Sequence, residues 1–441
     1  MKLWVGCDLR GITDHIIPKV NVMQARTLKD AIRVFDPRKT LDKEDLNEYH
    51  TDRILNRKED PAITKLKTYL DADAQKILFS GHRGCGKSTE LNKLALDLEK
   101  ERPGLLIVKY NVTDVLDVFD LDYSDVLFSL AYQLYHRAET IGVEIDESVV
   151  NNIKEFVGCV TRDVEEIKEK RMGLGVMFQK LFVGKYQQER LTRETVRKQL
   201  KPRISRLIEL INSMVVQIKL AGYGALIIID GIDNSPLDIG KNLYYGFGQV
   251  LSKPDCAIIY TIPISVVYSS EFTVIQQSFD KTVILPNITV TNPDGSQNED
   301  GVSIFSNLSE RRMRPDLIGE DALRYAIRMS AGITREFVRT IKDSCVEAIV
   351  RGGNRIICDD VRRAVADRKN DFKRILSKKT QYVALKEVHN TKSIYIDDEN
   401  IRAEIPGLLH NLSIVEYNGN IWWDVHPVVL LILDGVDDRV R

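Results

Sequence analysis

The residues Gly81-His82-Arg83-Gly84-Cys85-Gly86-Lys87-Ser88, followed by Thr89, have the types and spacing to hold a polyphosphate. Glycines at both ends of the loop let the backbone bend so that its N–H groups converge on phosphate oxygens. The lysine then brings a point charge to the β- and γ-phosphates, and the hydroxyl after it suits an accompanying Mg²⁺. Such a loop is informative only between a strand and a helix. Both flanks are present: Ile77-Leu78-Phe79 is a short apolar run, and Glu90 to Glu99 has helical periodicity. The dipole of that helix adds positive potential at the same point. Gly81, His82, Arg83, Gly84, Cys85, Gly86, Lys87, Ser88 and Thr89 are the candidate nucleotide-binding residues.

Ala225-Leu226-Ile227-Ile228-Ile229-Asp230-Gly231-Ile232-Asp233 is the second chemical element. An apolar run that ends on a carboxylate reads as a buried parallel strand with Asp230 at its C-terminal end, where α/β sheets place ligands. Asp230 and Ser88 are the candidate metal ligands. Asp233 is a candidate to polarise an attacking water, or else a loop or helix cap. A further strand, Asp255 to Thr261, brings the Thr261 hydroxyl between these motifs as a candidate γ-phosphate sensor. Ala331-Gly332-Ile333-Thr334-Arg335 opens a helix. From its N-terminus Arg335 can reach back to phosphate, or else make a surface ion pair.

The elements that must carry these groups divide the chain into four parts. Residues 1–60 are an N-terminal extension, with Asp36-Pro37-Arg38-Lys39 extended and a polar helix over Asp42 to Leu55, read as a structural lead-in. Residues 61–300 are an α/β core, a parallel sheet with helices on both faces. Its second strand, Gly104 to Tyr110, is followed by an acidic loop (Asp114, Asp117, Asp120, Asp122, Asp125) read as solvated caps. Residues 145–200 form a charged helical insertion broken at Met172 to Val176, either a partner-binding element or a solvated hairpin. Residues 301–370 are a helical lid that includes Arg311, Arg312 and Arg314. Residues 371–441 fit a winged helix: a basic helix from Phe372 to Val388 (Lys373, Arg374, Lys378, Lys379), a second over Ile401 to Leu409, and a hairpin turning at Asn418-Gly419. That module would hold DNA or, on the reading preferred for its aromatic hairpin, a protein or the rest of the chain.

Bulk composition narrows the classes. At 441 residues several domains are expected, and 43% apolar with 29% charged residues are the values of a globular chain. A formal net charge of −1 gives no global attraction to nucleic acid or anionic membrane. The six scattered cysteines show no metal spacing. With no signal peptide and no membrane-length apolar run, a cytoplasmic location is expected.

The motif order resembles the AAA+ and STAND-like P-loop ATPases, in particular bacterial AAA-family ATPases with an Orc1/Cdc6-like layout of core, helical lid and winged helix. Gly81 to Ser88, Ile227 to Asp230, the Thr261 strand end, Gly332 to Arg335 and Trp422 to Pro427 carry the resemblance, which spans about residues 60–430. It implies ATP rather than GTP, in keeping with the lack of a guanine-reading Asn-Lys-x-Asp after a strand. It further implies that Arg335 is a sensor arginine, and that Arg311, Arg312 or Arg314 serves a neighbouring subunit as an arginine finger. One departure stands out: Gly231 occupies the position where AAA+ proteins usually carry Glu, as in the STAND pattern. The expected function is therefore a slow, Mg²⁺-dependent ATPase that changes shape or assembles as a homo-oligomer and acts on an effector protein, with antiphage defence as a setting implied by resemblance alone. Two rivals are a DNA-binding initiator or transposition-type regulator that reads DNA through the winged helix, and a P-loop kinase.

Overall fold

The computed structural model describes residues 24–55, 59–73, 75–164, 173–179, 181–182, 186, 188–417 and 421–440. Five strands form one parallel sheet: β1 (Lys76–Ser80), β2 (Leu105–Asn111), β3 (Gly224–Asp230), β4 (Ala257–Thr261) and β5 (Lys281–Ile284). Their spatial order is β2-β3-β4-β1-β5. The strands read as unbroken apolar runs because both faces are covered. Ile77, Phe79, Ile107, Leu226, Ile228 and Ile259 pack with the helices Pro61–Asp71 and Lys87–Glu101. Their neighbours in sequence, such as Leu78, Ile227, Ile229 and Tyr260, point to the other face. There they meet the helices Tyr123–Thr140 and Ile204–Leu220. Register sets Phe79 beside Thr261, Tyr260 beside Ile229, and Asp230 beside Asn111. The C-terminal ends of β1, β4, β3 and β2 therefore lie in a row.

The insertion covers one face of this core. Phe178, Phe182 and Tyr186 join Phe128 and Tyr132 of the helix Tyr123–Thr140, the Tyr132 and Phe182 rings stacking at 5.0 Å. Arg193 reaches Asp117 and Asp120 at 3.0 Å, and Arg197 reaches Asp120 at 2.9 Å and Asp125 at 3.0 Å. The acidic loop is thus matched by arginines of the helix Arg190–Leu200, and the solvated hairpin and solvated loop give way to one packed unit. Met172 lies outside the described residues.

Beyond β5 the chain is helical: Glu299–Glu310, Glu320–Met329, Thr334–Val350 and Cys358–Ile375. The last runs unbroken across residue 370, so the chain leaves the lid at Leu376 to Lys378, and the next helix is Lys379–Thr391 rather than Phe372 to Val388. The strands β6 (Ile414–Tyr417) and β7 (Trp422–Val425) pair antiparallel as a hairpin; the Asn418-Gly419-Asn420 turn lies outside the described residues. Phe305 and Phe337 of the lid, Leu385 and Trp423 of the C-terminal module, and Leu28 and Phe35 of the N-terminal segment share one apolar core. That segment forms the short helices Leu28–Val34 and Lys43–Tyr49, the second capped by Asp42 and ending well before Leu55. Among the described residues no helix is long and apolar enough to cross a membrane.

Candidate functional site

The loop between β1 and the helix Lys87–Glu101 opens into a cavity of about 690 Å³. Gly84, Gly86, Lys87, Ser88 and Thr89 line it, together with Asp233 and Arg335. Lys87 is buried, and its Nζ donates to Gly81 O at 2.8 Å and His82 O at 2.9 Å and lies 2.9 Å from Asp233 Oδ2. Burial pushes this ammonium down most strongly, but Asp233, Cys85 and Asp230 together outweigh it and hold Lys87 above the usual lysine range. Asp230 accepts from Gly231 N at 2.8 Å through Oδ1, whereas its Oδ2 is buried with no hydrogen-bond partner. Lys109 Nζ stands 3.7 Å from that oxygen. Burial raises the Asp230 carboxyl, against the opposing pull of Lys109. Ser88 faces the same carboxylate. An acceptor oxygen left free beside a hydroxyl is what a hard divalent ion needs, so the donor set fits Mg²⁺. Among the described residues no group of three or more His, Cys, Asp or Glu is disposed to hold a metal by itself.

Three loop residues turn their side chains elsewhere, which leaves only their backbone for phosphate. Arg83 donates to Asn234 O at 2.6 Å, and Cys85 is buried with Sγ 3.8 Å from Leu285 O. His82 points to the C-terminal hairpin, where its Nε2 accepts the Glu416 N–H at 2.9 Å. Burial, with Lys87 nearby, pushes this imidazole down to about 3, so it is neutral and able to accept. Asn287 Nδ2 donates to Glu416 O at 3.0 Å, and Tyr268 OH to the Glu416 side chain at 2.6 Å.

Thr261 departs from the sensing role expected of it. It lies between the two motifs, but its hydroxyl is buried, accepting from Ile232 N at 3.1 Å and lying 3.4 Å from Ile229 O. It therefore holds the turn that carries Asp230 and Asp233. Gly231 within that turn has φ +86°, and a Cβ there would lie 2.1 Å from Asn111 Oδ1. A glutamate would need both a left-handed backbone and the space Asn111 fills, which accounts for its absence. Arg335, near the N-terminus of the helix Thr334–Val350, donates its backbone N–H to Gly84 O at 3.0 Å.

The three lid arginines separate. Arg314 forks onto Asp316 at 2.9 and 2.7 Å, and Arg311 donates to Glu48 O at 3.2 Å, both from exposed positions. Arg312 is only 6% exposed and donates to Tyr49 O and Leu308 O of its own chain, so a finger offered to a neighbour is not its role.

The N-terminal segment contributes more than a lead-in. Buried Arg53 pairs with Asp60 at 3.2 Å and donates to Cys85 O and Pro286 O, bracing the phosphate loop. His50 Nε2 meets Glu90 Oε1 at 3.0 Å. Tyr49, His50, Thr51 and Arg53 all line the cavity. Periodicity gives no hint of these, since the contacts with the loop and its helix join residues far apart in sequence.

A phosphate loop after β1, an acidic strand end on β3, β4 threaded between them and an arginine returned by a helical lid decide the fold class. The fold is that of a P-loop nucleotide-binding α/β core with a helical lid. No family model matches the chain, and no curated protein does. Solved structures similar to it include Cdc6p from Pyrobaculum aerophilum, 12% identical with TM-score 0.41 over 93% of this chain and 98% of that one. The Aeropyrum pernix ORC1 protein in complex with DNA is 13% identical with TM-score 0.42, again over 93% and 98%. The ADP form of the Aeropyrum pernix ORC2 protein is 12% identical with TM-score 0.43 over 92% and 96%. The P-loop fold stands on the chain's own strand order and loop.

Proposed function

We propose that this protein is a cytoplasmic, Mg²⁺-dependent ATPase of slow turnover that acts as a switch on an effector protein, with ATP binding driving a change of shape or self-assembly. The meeting of Lys87, Asp233 and Ser88 in one cavity, with the unpartnered Asp230 oxygen buried beside Ser88, supports the reading most directly. Loop amides and Lys87 would neutralise the phosphates, and Ser88 and Asp230 would hold Mg²⁺, which supplies further charge neutralisation when bound. Lys87 must leave Asp233 and two carbonyls to reach phosphate, which frees Asp233 to orient water. Slow turnover is expected from Gly231, which leaves no glutamate directly after Asp230, so that Asp233 would serve as the base. The bond from His82 to the hairpin gives the loop a route to the C-terminal module. Reading of DNA by that hairpin is disfavoured, because its strands are buried against the core, Lys378 is paired with Glu404 and Arg374 with Asp371.

Titration with a fluorescent ATP analogue tests the reading. Mg²⁺-dependent binding that Lys87→Ala abolishes is expected, with slow phosphate release from the parent chain. An intact chain with no affinity for ATP at millimolar concentration would overturn it.

A further inference from the structure

Arg312 is a buried cation without a carboxylate. Its Nη1 donates to Tyr49 O and Leu308 O, each at 3.1 Å, and its guanidinium stands 5.2 Å above the Tyr49 ring. Nearby Asp45 is engaged by Lys39. Burial pushes Arg312 down to about 10, still charged at neutral pH. A guanidinium has five donors, and Nε and Nη2 donate to no described residue. Taking such a group out of water is unfavourable unless acceptors are supplied. Here they can come from one side, because Arg312 lines the same cavity as the phosphate loop.

The surroundings tell which part of a ligand meets it. The wall built by the N-terminal segment, Ile288 and the lid carries Ala25, Val34, Ile288, Ile304, Leu308 and Val338, an apolar strip suited to a flat ring, alongside the charged Asp30, Arg33 and Lys39. The charged groups for phosphate, Lys87 and Arg335, belong to the loop and the helix end instead. Thr51 Oγ1, also of a cavity-lining residue, is buried and has no partner. An apolar wall with a few unpaired polar groups is the usual make-up of an organic-ligand site.

We infer that Arg312 contacts the nucleobase of a nucleotide bound in its own subunit, donating to ring-nitrogen acceptors on the purine edge, and so helps set base specificity. Arginine donates to a purine N7 in this way in nucleic acids, where its partner is guanine. The inference rests on the nucleotide reading above and moves Arg312 from a neighbour's site to its own.

The test compares ATP, GTP and inorganic tripolyphosphate, each with Mg²⁺, on the parent chain, Arg312→Met and Arg312→Lys by calorimetric titration. Arg312→Met is expected to weaken ATP by about tenfold or more. Tripolyphosphate affinity should stay unchanged, and Arg312→Lys should fall between. The ATP-to-GTP ratio should shift as well. Thr51→Val, which removes no brace, should show the same split, weaker ATP with unchanged tripolyphosphate, and guards against a fold defect in Arg312→Met. Equal loss for ATP and tripolyphosphate in Arg312→Met together with no split in Thr51→Val, or an unchanged ATP affinity in Arg312→Met, would overturn the inference. A parent chain that binds tripolyphosphate and ATP equally would also overturn it. A parent that binds neither overturns the nucleotide reading itself.

Discussion

Gly84 should not accept a side chain, and the cost can be worked from its surroundings. Its φ is +83°, and an added Cβ would lie 2.5 Å from the Cβ of Arg335. The left-handed backbone costs an ordinary residue about 1–2 kcal/mol. The contact adds to that, because the Arg335 Cβ belongs to a helix start already tied to Gly84 O at 3.0 Å. Relief requires the helix to back away by about 1 Å or more to restore ordinary carbon–carbon contact. Gly84→Ala is therefore expected to lose about 2–4 kcal/mol of stability, at the upper end of single substitutions. Nucleotide affinity should fall with it, because Arg335 is carried off the loop. The matched control is Gly246→Ala, in the helix Leu237–Leu251 with nothing within 4 Å of its added Cβ. There alanine should stabilise by up to about 1 kcal/mol. Urea unfolding of the three proteins, followed by titration of an ATP analogue, decides the matter. If Gly84→Ala unfolds with the parent while Gly246→Ala gains, Arg335 does not pack on the loop as described.

Further expectations concern the carboxylate, the hydroxyl and the buried imidazoles. Asp233→Asn should still bind ATP but release phosphate about 100-fold or more slowly; an unchanged rate would assign the base role elsewhere. Thr261→Val strands the Ile232 N–H and should cost about 1–3 kcal/mol, with Thr261→Ser restoring most of it. Equal stability of the valine variant in urea would contradict the bracing role. Burial depresses His82 to about 3 and His426 to about 4, from an ordinary value of 6.5. Because the folded values lie below the unfolded one, their contribution is complete above about pH 6.5 and declines as the pH falls through the window toward 4 and 3. The slope is about 1.4 kcal/mol per pH unit for each histidine. Urea midpoints measured across that window should fall accordingly and flatten in His82→Gln and His426→Gln; parallel curves would refute it.

Local chemistry made much of this site legible. β1, β3 and β4 were visible as apolar runs ended by Gly81, Asp230 and Thr261, and the helix that presents Arg335 was marked by the glycine before it. Side-chain direction was not legible, because tertiary partners decide it. His82 faces a hairpin amide 334 positions away, and Arg312 is drawn inward by the Tyr49 carbonyl. Nothing in the local spacing distinguishes either residue from its neighbours. The N-terminal strap was invisible as part of the site for the same reason: Arg53 acts through carbonyls of Cys85 and Pro286, and a backbone acceptor leaves no trace in sequence. The boundary expected at residue 370 falls inside one helix, because Phe372 continues the buried stripe of Val361 and Val365.

The single bond between the His82 imidazole and the Glu416 amide has a consequence for whatever touches the C-terminal hairpin. Coupling between two equilibria is reciprocal: if occupancy of the phosphate loop changes how firmly the hairpin is held, a molecule that grips the hairpin must change nucleotide affinity by the same factor. The far end of the chain would then be an input as much as an output. A regulator bound there could load or empty the cavity without ever approaching it.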